Sequence, residues 1–345
     1  MSACLAIKCG ALALEWDMST FSSFVRTRVG GAILSVASLC LLVLPGDGGE
    51  LVSPFEVASD DAPGCRGDAL VFQKLAARGV TPAARCSDAV FLRRVYLDVI
   101  GTLPTAKEAR EFLDDERSGK RQSLISRLMA RDEFADYWAL KWGDLLRVKS
   151  EFPINLWPNA AQAYHRWVRA SIAENVPYDQ FAREILVASG SNFRVPPVNF
   201  YRSMQSKTPE AISKGVALGF MGVRTDGWAE KRRTALSAFF SEVGFKGTSE
   251  WKEEIVYHDS WQTNVANAAA LVLPDGTVAK VKPGRDPREV FVDWLITPEN
   301  PWFAANAVNR VWYWLMGRGI VHHPDDFRPD NPPQNPELLA WLAEQ

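Results

Sequence analysis

From Ser87 to Val243 the apolar residues of this chain recur at intervals of three and four, which puts one buried stripe on each of a series of helices. Ser87 stands where it can cap the first, whose stripe is Leu92, Val95, Tyr96 and Val99 and whose stop is Gly101. Thr105 and Glu108 read as a capping box, each side chain satisfying the other residue's orphan N–H. Stripes follow at Leu124, Ile125, Leu128 and Met129, at Trp138, Trp142, Leu145 and Leu146, and at Tyr164, Trp167, Val168 and Ile172. After Pro177 a short helix holds Phe181 and Ile185, and Gly190 to Tyr201 reads as loop. Thr208-Pro209 restarts a helix through Ile212, Val216 and Phe220, and another runs through Leu236, Phe239, Phe240 and Val243. A chain patterned this way is committed to a mainly α fold.

The texture then changes. Glu254 to His258 reads as a strand, and Ala270 to Leu273 with Thr277 to Val281 flank the turn signal Pro274-Asp275-Gly276. Residues 245–284 therefore read as a small β insertion, with its hairpin within about 250–284. Asp286-Pro287 reopens the helical pattern, with Phe291, Trp294 and Leu295 on the buried side. Asn300-Pro301 starts a helix carrying Ala304, Val308, Val311, Trp312 and Leu315, which Gly317 and Gly319 stop. Asn335-Pro336 opens a last helix of about ten residues, too short to stand alone in water. It must dock on something, and a natural chain continuing past Gln345 is the expected reason for its abrupt end.

Arg26 and Arg28 precede an apolar run from Val29 to Leu44, broken by Pro45 and Gly46. That run is shorter than the roughly 20 residues a spanning helix needs and matches the core of an export signal. Glu15 and Asp17 are out of character for such a signal, so Met18 is a candidate true start. Cys40 follows Leu39, too bulky for a bacterial lipidation site. The expected layout is a signal peptide at 1–45, a linker at 46–64, a helical domain at 65–244, the β insertion, and a second helical segment at 285–345. Cleavage after Leu44 would leave only Cys65 and Cys86 in an exported chain, which invites a disulfide worth roughly 3 kcal/mol. Free thiols are the alternative. The net charge of -2 offers no footprint for nucleic acid.

Two blocks carry a resemblance. Phe91-Leu92-Arg93-Arg94-Val95-Tyr96-Leu97-Asp98, Gly101-Thr102-Leu103-Pro104-Thr105 and Pro177-Tyr178-Asp179-Gln180-Phe181 resemble a planctomycete-type exported, cytochrome-associated domain of unknown function, family 1549. Asn300 to Leu339 resembles the opening of its usual companion, family 1553, here cut short. The resemblance implies a helical fold and an exported compartment, with no settled activity. Many members carry a Cys-x-x-Cys-His haem-attachment motif just after the helix that here ends at Phe220-Met221-Gly222. This chain reads Val223-Arg224-Thr225-Asp226-Gly227-Trp228 there and has no Cys after Cys86, so covalent c-type haem is excluded by residue inventory.

Four groups are candidate sites, each set against a plainer use. His322, His323, Asp325 and Asp326 offer imidazole and carboxylate to a divalent metal; the alternative is a polar turn with an Asp paired to Arg318 or Arg328. Arg94 and Asp98 are four apart and read as a structural pair. Glu250, Glu253, Glu254, His258 and Asp259 suggest acid–base work on a glycosidic bond, or only a solvated charged stretch. Trp157, Tyr164, His165 and Trp167 suggest an aromatic platform for sugar rings, or core packing. Thirteen Trp residues make the second use as natural as the first.

The resulting expectation is an exported cell-envelope protein that binds a polysaccharide or an envelope protein, or serves as a scaffold, without a cofactor of its own. Its contact with the membrane is through the export signal alone. The alternative is a metal- or carboxylate-dependent hydrolase acting on envelope or extracellular polysaccharide.

Overall fold

Some helices start where a side chain catches a first free N–H group, though Ser87 makes no such bond ahead of the helix that opens at Asp88. In the computed structural model, which describes residues 55–57, 62–151, 156–261 and 270–345, the helices are α1 (Arg66–Ala77), α2 (Asp88–Ile100), α3 (Ala106–Leu113), α4 (Lys120–Met129) and α5 (Asp132–Leu145). They continue with α6 (Pro158–Ala173), α7 (Tyr178–Leu186), α8 (Asn199–Arg202), α9 (Pro209–Val216) and α10 (Glu230–Ala238). The series ends with α11 (Pro287–Leu295), α12 (Phe303–Met316) and α13 (Pro336–Glu344). The fold is mainly α. The expected signal at 1–45 lies outside the described residues, as does most of the 46–64 linker.

Several caps stand where the sequence puts them. Thr105 and Glu108 form both bonds of the capping box, at 3.3 and 2.8 Å. Thr208, Asp286 and Asn335 each accept a first-turn N–H, and Pro occupies the first turn behind each. Asn300 caps at a distance: its Oδ1 accepts the N–H groups of Trp302 and Phe303, so α12 begins at Phe303. Gly101 ends α2 at φ 70°, where the Tyr137 ring lies 2.3 Å from any Cβ that could be added. Only glycine fits there. α1 has no strong periodicity of its own and is held instead by Leu70 and Val71 packing on α12 and α13.

The helices bury Trp138 and Trp312 and partly cover most of the other described tryptophans. Trp314 of α12 meets Trp138 and Trp142 of α5 edge-on, at 5.8 and 5.5 Å between ring centroids. Trp142 continues to Tyr178 and Phe181, and Phe181 stacks on Trp167 at 4.9 Å. This aromatic seam ties helices on both sides of the β region to one main core. A second cluster joins α2, α3 and α4, and a third joins α1, α12 and α13. Among the described residues no helix is long and apolar enough to cross a membrane.

The expected hairpin forms within 250–284, and the β structure extends beyond it. β5 (Glu254–His258) is central in an antiparallel sheet between β4 (Val243–Gly247) and β3 (Gly190–Ser191). β4 starts where helical spacing suggested a helix through Val243, and β3 comes from a stretch that reads as loop. The sheet is therefore woven into the helical body, with Val256 fully buried. β6 (Leu271–Val272) and β7 (Val278–Ala279) form the small hairpin around Asp275-Gly276. Short β1 (Glu56–Val57) and β2 (Arg85–Cys86) pair ahead of α2.

A buried polar clamp joins the C-terminal segment to the rest. Behind α9 the backbone widens into a π-turn, Ala217–Met221, whose Leu218 and Gly219 carbonyls accept from α12. Arg310 of α12, only 4% exposed, donates to Gly219 O at 3.3 Å and Leu218 O at 3.4 Å and pairs with Asp325. Asn306 donates to Gly219 O at 3.2 Å, and Phe327 N donates to Gly222 O at 2.9 Å. Gly222 sits at φ 64°, with Asn306 Oδ1 2.4 Å from where a Cβ would stand. Asn309 closes the turn after α12 by accepting from Val321 N and donating to Val321 O.

The capping box also sets an acid response. Bonds from the Thr105 backbone and hydroxyl, aided by Arg131, hold the Glu108 carboxyl down from the ordinary 4.5 to about 2. A depressed carboxyl adds stability that is complete above its unfolded value and is lost as pH falls through the folded one. Thermal unfolding midpoints should therefore fall more steeply between pH 4.5 and 2 for the native chain than for Glu108→Gln. Parallel profiles would contradict the assignment.

Candidate functional site

The β4–β5 hairpin closes with six residues after the pair Gly247↔Glu254. Thr248 N donates to Glu253 O and Glu253 N to Glu250 O, which turns the chain tightly enough to force Lys252 to φ 63°. A side chain there is strained. Asn192, fully buried, holds the strained unit: its Oδ1 accepts from Glu254 N at 2.9 Å and its Nδ2 donates to Lys252 O at 3.4 Å. The consequence is that Trp251 stands at the tip, 73% exposed. Its ring meets Trp157 edge-to-face at 4.6 Å, and the Lys252 ammonium lies 4.9 and 5.5 Å from the two ring centroids. Trp157, just before Pro158, has φ 68° and ψ 148°, a region that ordinarily belongs to glycine.

The four-residue aromatic platform expected on α6 does not form. Tyr164 is fully buried, and Trp167 stacks between it and Phe181, because positions three apart share the helix face that turns inward. His165 is half-buried on another side. Trp157 meets Trp251 instead, 94 positions away (251 − 157) and beyond the reach of sequence spacing. The available signal was a lone Trp within the polar run Thr248-Ser249-Glu250-Trp251-Lys252-Glu253.

The turn after α12 is likewise not a ligand set. Among the described residues no three His, Cys, Asp or Glu side chains gather to hold a metal. Asp325 is drawn inward to Arg310, and Asp326 pairs with Arg328 at 3.1 Å. His322 and His323 remain exposed, with ring centroids 4.6 Å apart. Slight burial, the nearby Arg318 and the neighbouring imidazole lower the His322 pKa.

The acidic stretch is committed to partners. Burial works to raise Glu254, yet bonds from Lys207 and Arg202 hold its carboxyl below the ordinary value. Glu253 accepts from Ser191 and Thr248, which lower it too. A general acid needs the opposite shift. His258 meets the buried Glu242, 2.6 Å away, and Asp259 N donates to Glu242 O. Glu250 stays exposed on the hairpin loop. The Arg94–Asp98 pair forms at 3.2 Å on the solvent side of α2. The disulfide is not formed. Cys65 is an exposed free thiol whose Sγ accepts from Asp68 N as the cap of α1, whereas Cys86 is buried against α2 to α4.

The Tyr164 hydroxyl has no hydrogen-bond partner among the described residues, and burial pushes its pKa well above the ordinary value. Removing an unsatisfied buried group costs nothing in lost bonds. Tyr164→Phe should leave urea-unfolding stability unchanged or raise it by up to about 1 kcal/mol. A loss of about that size would show that the hydroxyl is bonded in solution.

Residues 67–238, from α1 through α10, match the family described as Protein of unknown function (DUF1549). Residues 287–345, from α11 through α13, match Protein of unknown function (DUF1553). No curated protein and no solved structure matches the chain.

Proposed function

We propose that this chain, which belongs to the DUF1549 family and carries a DUF1553 segment behind that domain, is an exported, haem-free binding or scaffold module of the cell envelope. It engages a polysaccharide or an envelope protein. Export is supported by the arginine-led apolar run from Val29 to Leu44. The haem-free reading is supported by the cysteine inventory and by the loop Val223 to Trp228, which offers no thiol.

One observation carries the binding reading. Trp251 and Trp261 are 73% and 90% exposed, whereas the other described tryptophans are buried or partly covered. Indole surface left in water is costly to keep and suits a contact with something else. Two of the carboxylates that would favour hydrolysis, Glu253 and Glu254, are instead bound to serine, threonine, arginine and lysine. The test is cell fractionation with N-terminal sequencing and an absorption spectrum of the purified product. The mature chain should be found outside the cytoplasm, start beyond Leu44 and show no Soret band. A cytosolic product with an intact leader, or a haem spectrum, would overturn the reading.

A further inference from the structure

Resting on that binding reading, we infer that the tip of the β4–β5 hairpin is the binding site and that its ligand is a neutral polysaccharide. Three features converge at the tip. First, Trp251 keeps 73% of its surface in water even with Trp157 and Lys252 against it, so ring surface stays open for stacking. A sugar ring has an apolar C–H face bordered by hydroxyls, and an indole meets that face as it meets any flat apolar surface.

Second, the tip is held rather than loose. Lys252 and Trp157 both keep positive φ, and buried Asn192 bonds to Lys252 O and Glu254 N, on either side of Glu253. Strain of this kind persists only where neighbours enforce it, and a pre-set surface loses little entropy when a ligand lands.

Third, the charges around the tip balance. Glu250 and Glu253 share the hairpin loop with Lys252, and the Arg194 Nε lies 4.0 Å from Glu253. A polyanion would gain no net field there, and the chain's charge of -2 adds none. Hydroxyl groups, which both donate and accept, can use the Glu250 carboxylate and the Lys252 ammonium alike.

The test is electrophoresis of the full chain through native gels containing laminarin, xylan or galactomannan, with polygalacturonate as the anionic arm. At least one neutral polymer should retard the native chain. Trp251→Ala, which removes an exposed side chain and spares the core, should weaken that retardation about tenfold. Leu140→Ala, an exposed change on α5, should leave it unaltered. Retardation by a neutral polymer that Trp251→Ala does not weaken would overturn the site while leaving the binding reading intact. Retardation by polygalacturonate alone would overturn the neutral ligand. Retardation by none would overturn this inference and leave the binding reading with a protein partner only.

Discussion

A guanidinium buried at Arg310 locks α12 onto the earlier helices, as a second, Arg288, locks α11 by donating to Ala188 O and Ser189 Oγ. The π-turn behind α9 presents the carbonyls of Leu218 and Gly219 to Arg310, and Asp325 balances its charge. Neither half is satisfied alone: the π-turn would keep unpaired carbonyls, and α12 would bury a cation without partners. A further link lies at the far side, where Asn335 donates to Leu70 O at 3.1 Å and Trp341 packs over Gly67. The two matched segments thus interlock through both α1 and α9. The wording of the stretch Asn300 to Asp326, dense in Asn, Arg and Asp yet without catalytic geometry, has its explanation in that docking.

Features set by neighbouring residues were legible in the sequence; those set by distant ones were not. The capping box at Thr105, the caps at Thr208, Asp286 and Asn335 and the turn at Asp275-Gly276 all depend on contacts within a few positions. β3 and β4 depend on pairing with β5, which overrides the helical spacing near Val243. The same rule separates the candidate sites. Asp325 looked free for a metal because Arg310, fifteen residues earlier, gives no local sign of turning inward. Trp157 looked like part of an α6 platform because nothing near it in sequence announces Trp251.

The tryptophans divide by what surrounds them. Trp138, Trp142 and Trp314 bind α5 to α12, and Trp138 also donates its N–H to Val99 O at 3.1 Å. Their role is cohesion. Trp251 sits instead on a hairpin whose backbone is strained and braced, where cohesion gains little from it. The rigid body built by the first group supports the outward-facing second.

The most direct measurement is equilibrium urea unfolding of the full chain against Arg310→Ala, followed by helical signal and by tryptophan emission together. If the clamp unites the segments, the native chain unfolds in one transition common to both probes, and the substitution costs about 1.5–3 kcal/mol. Two separate transitions in the native chain, or a cost below about 1 kcal/mol, would contradict it.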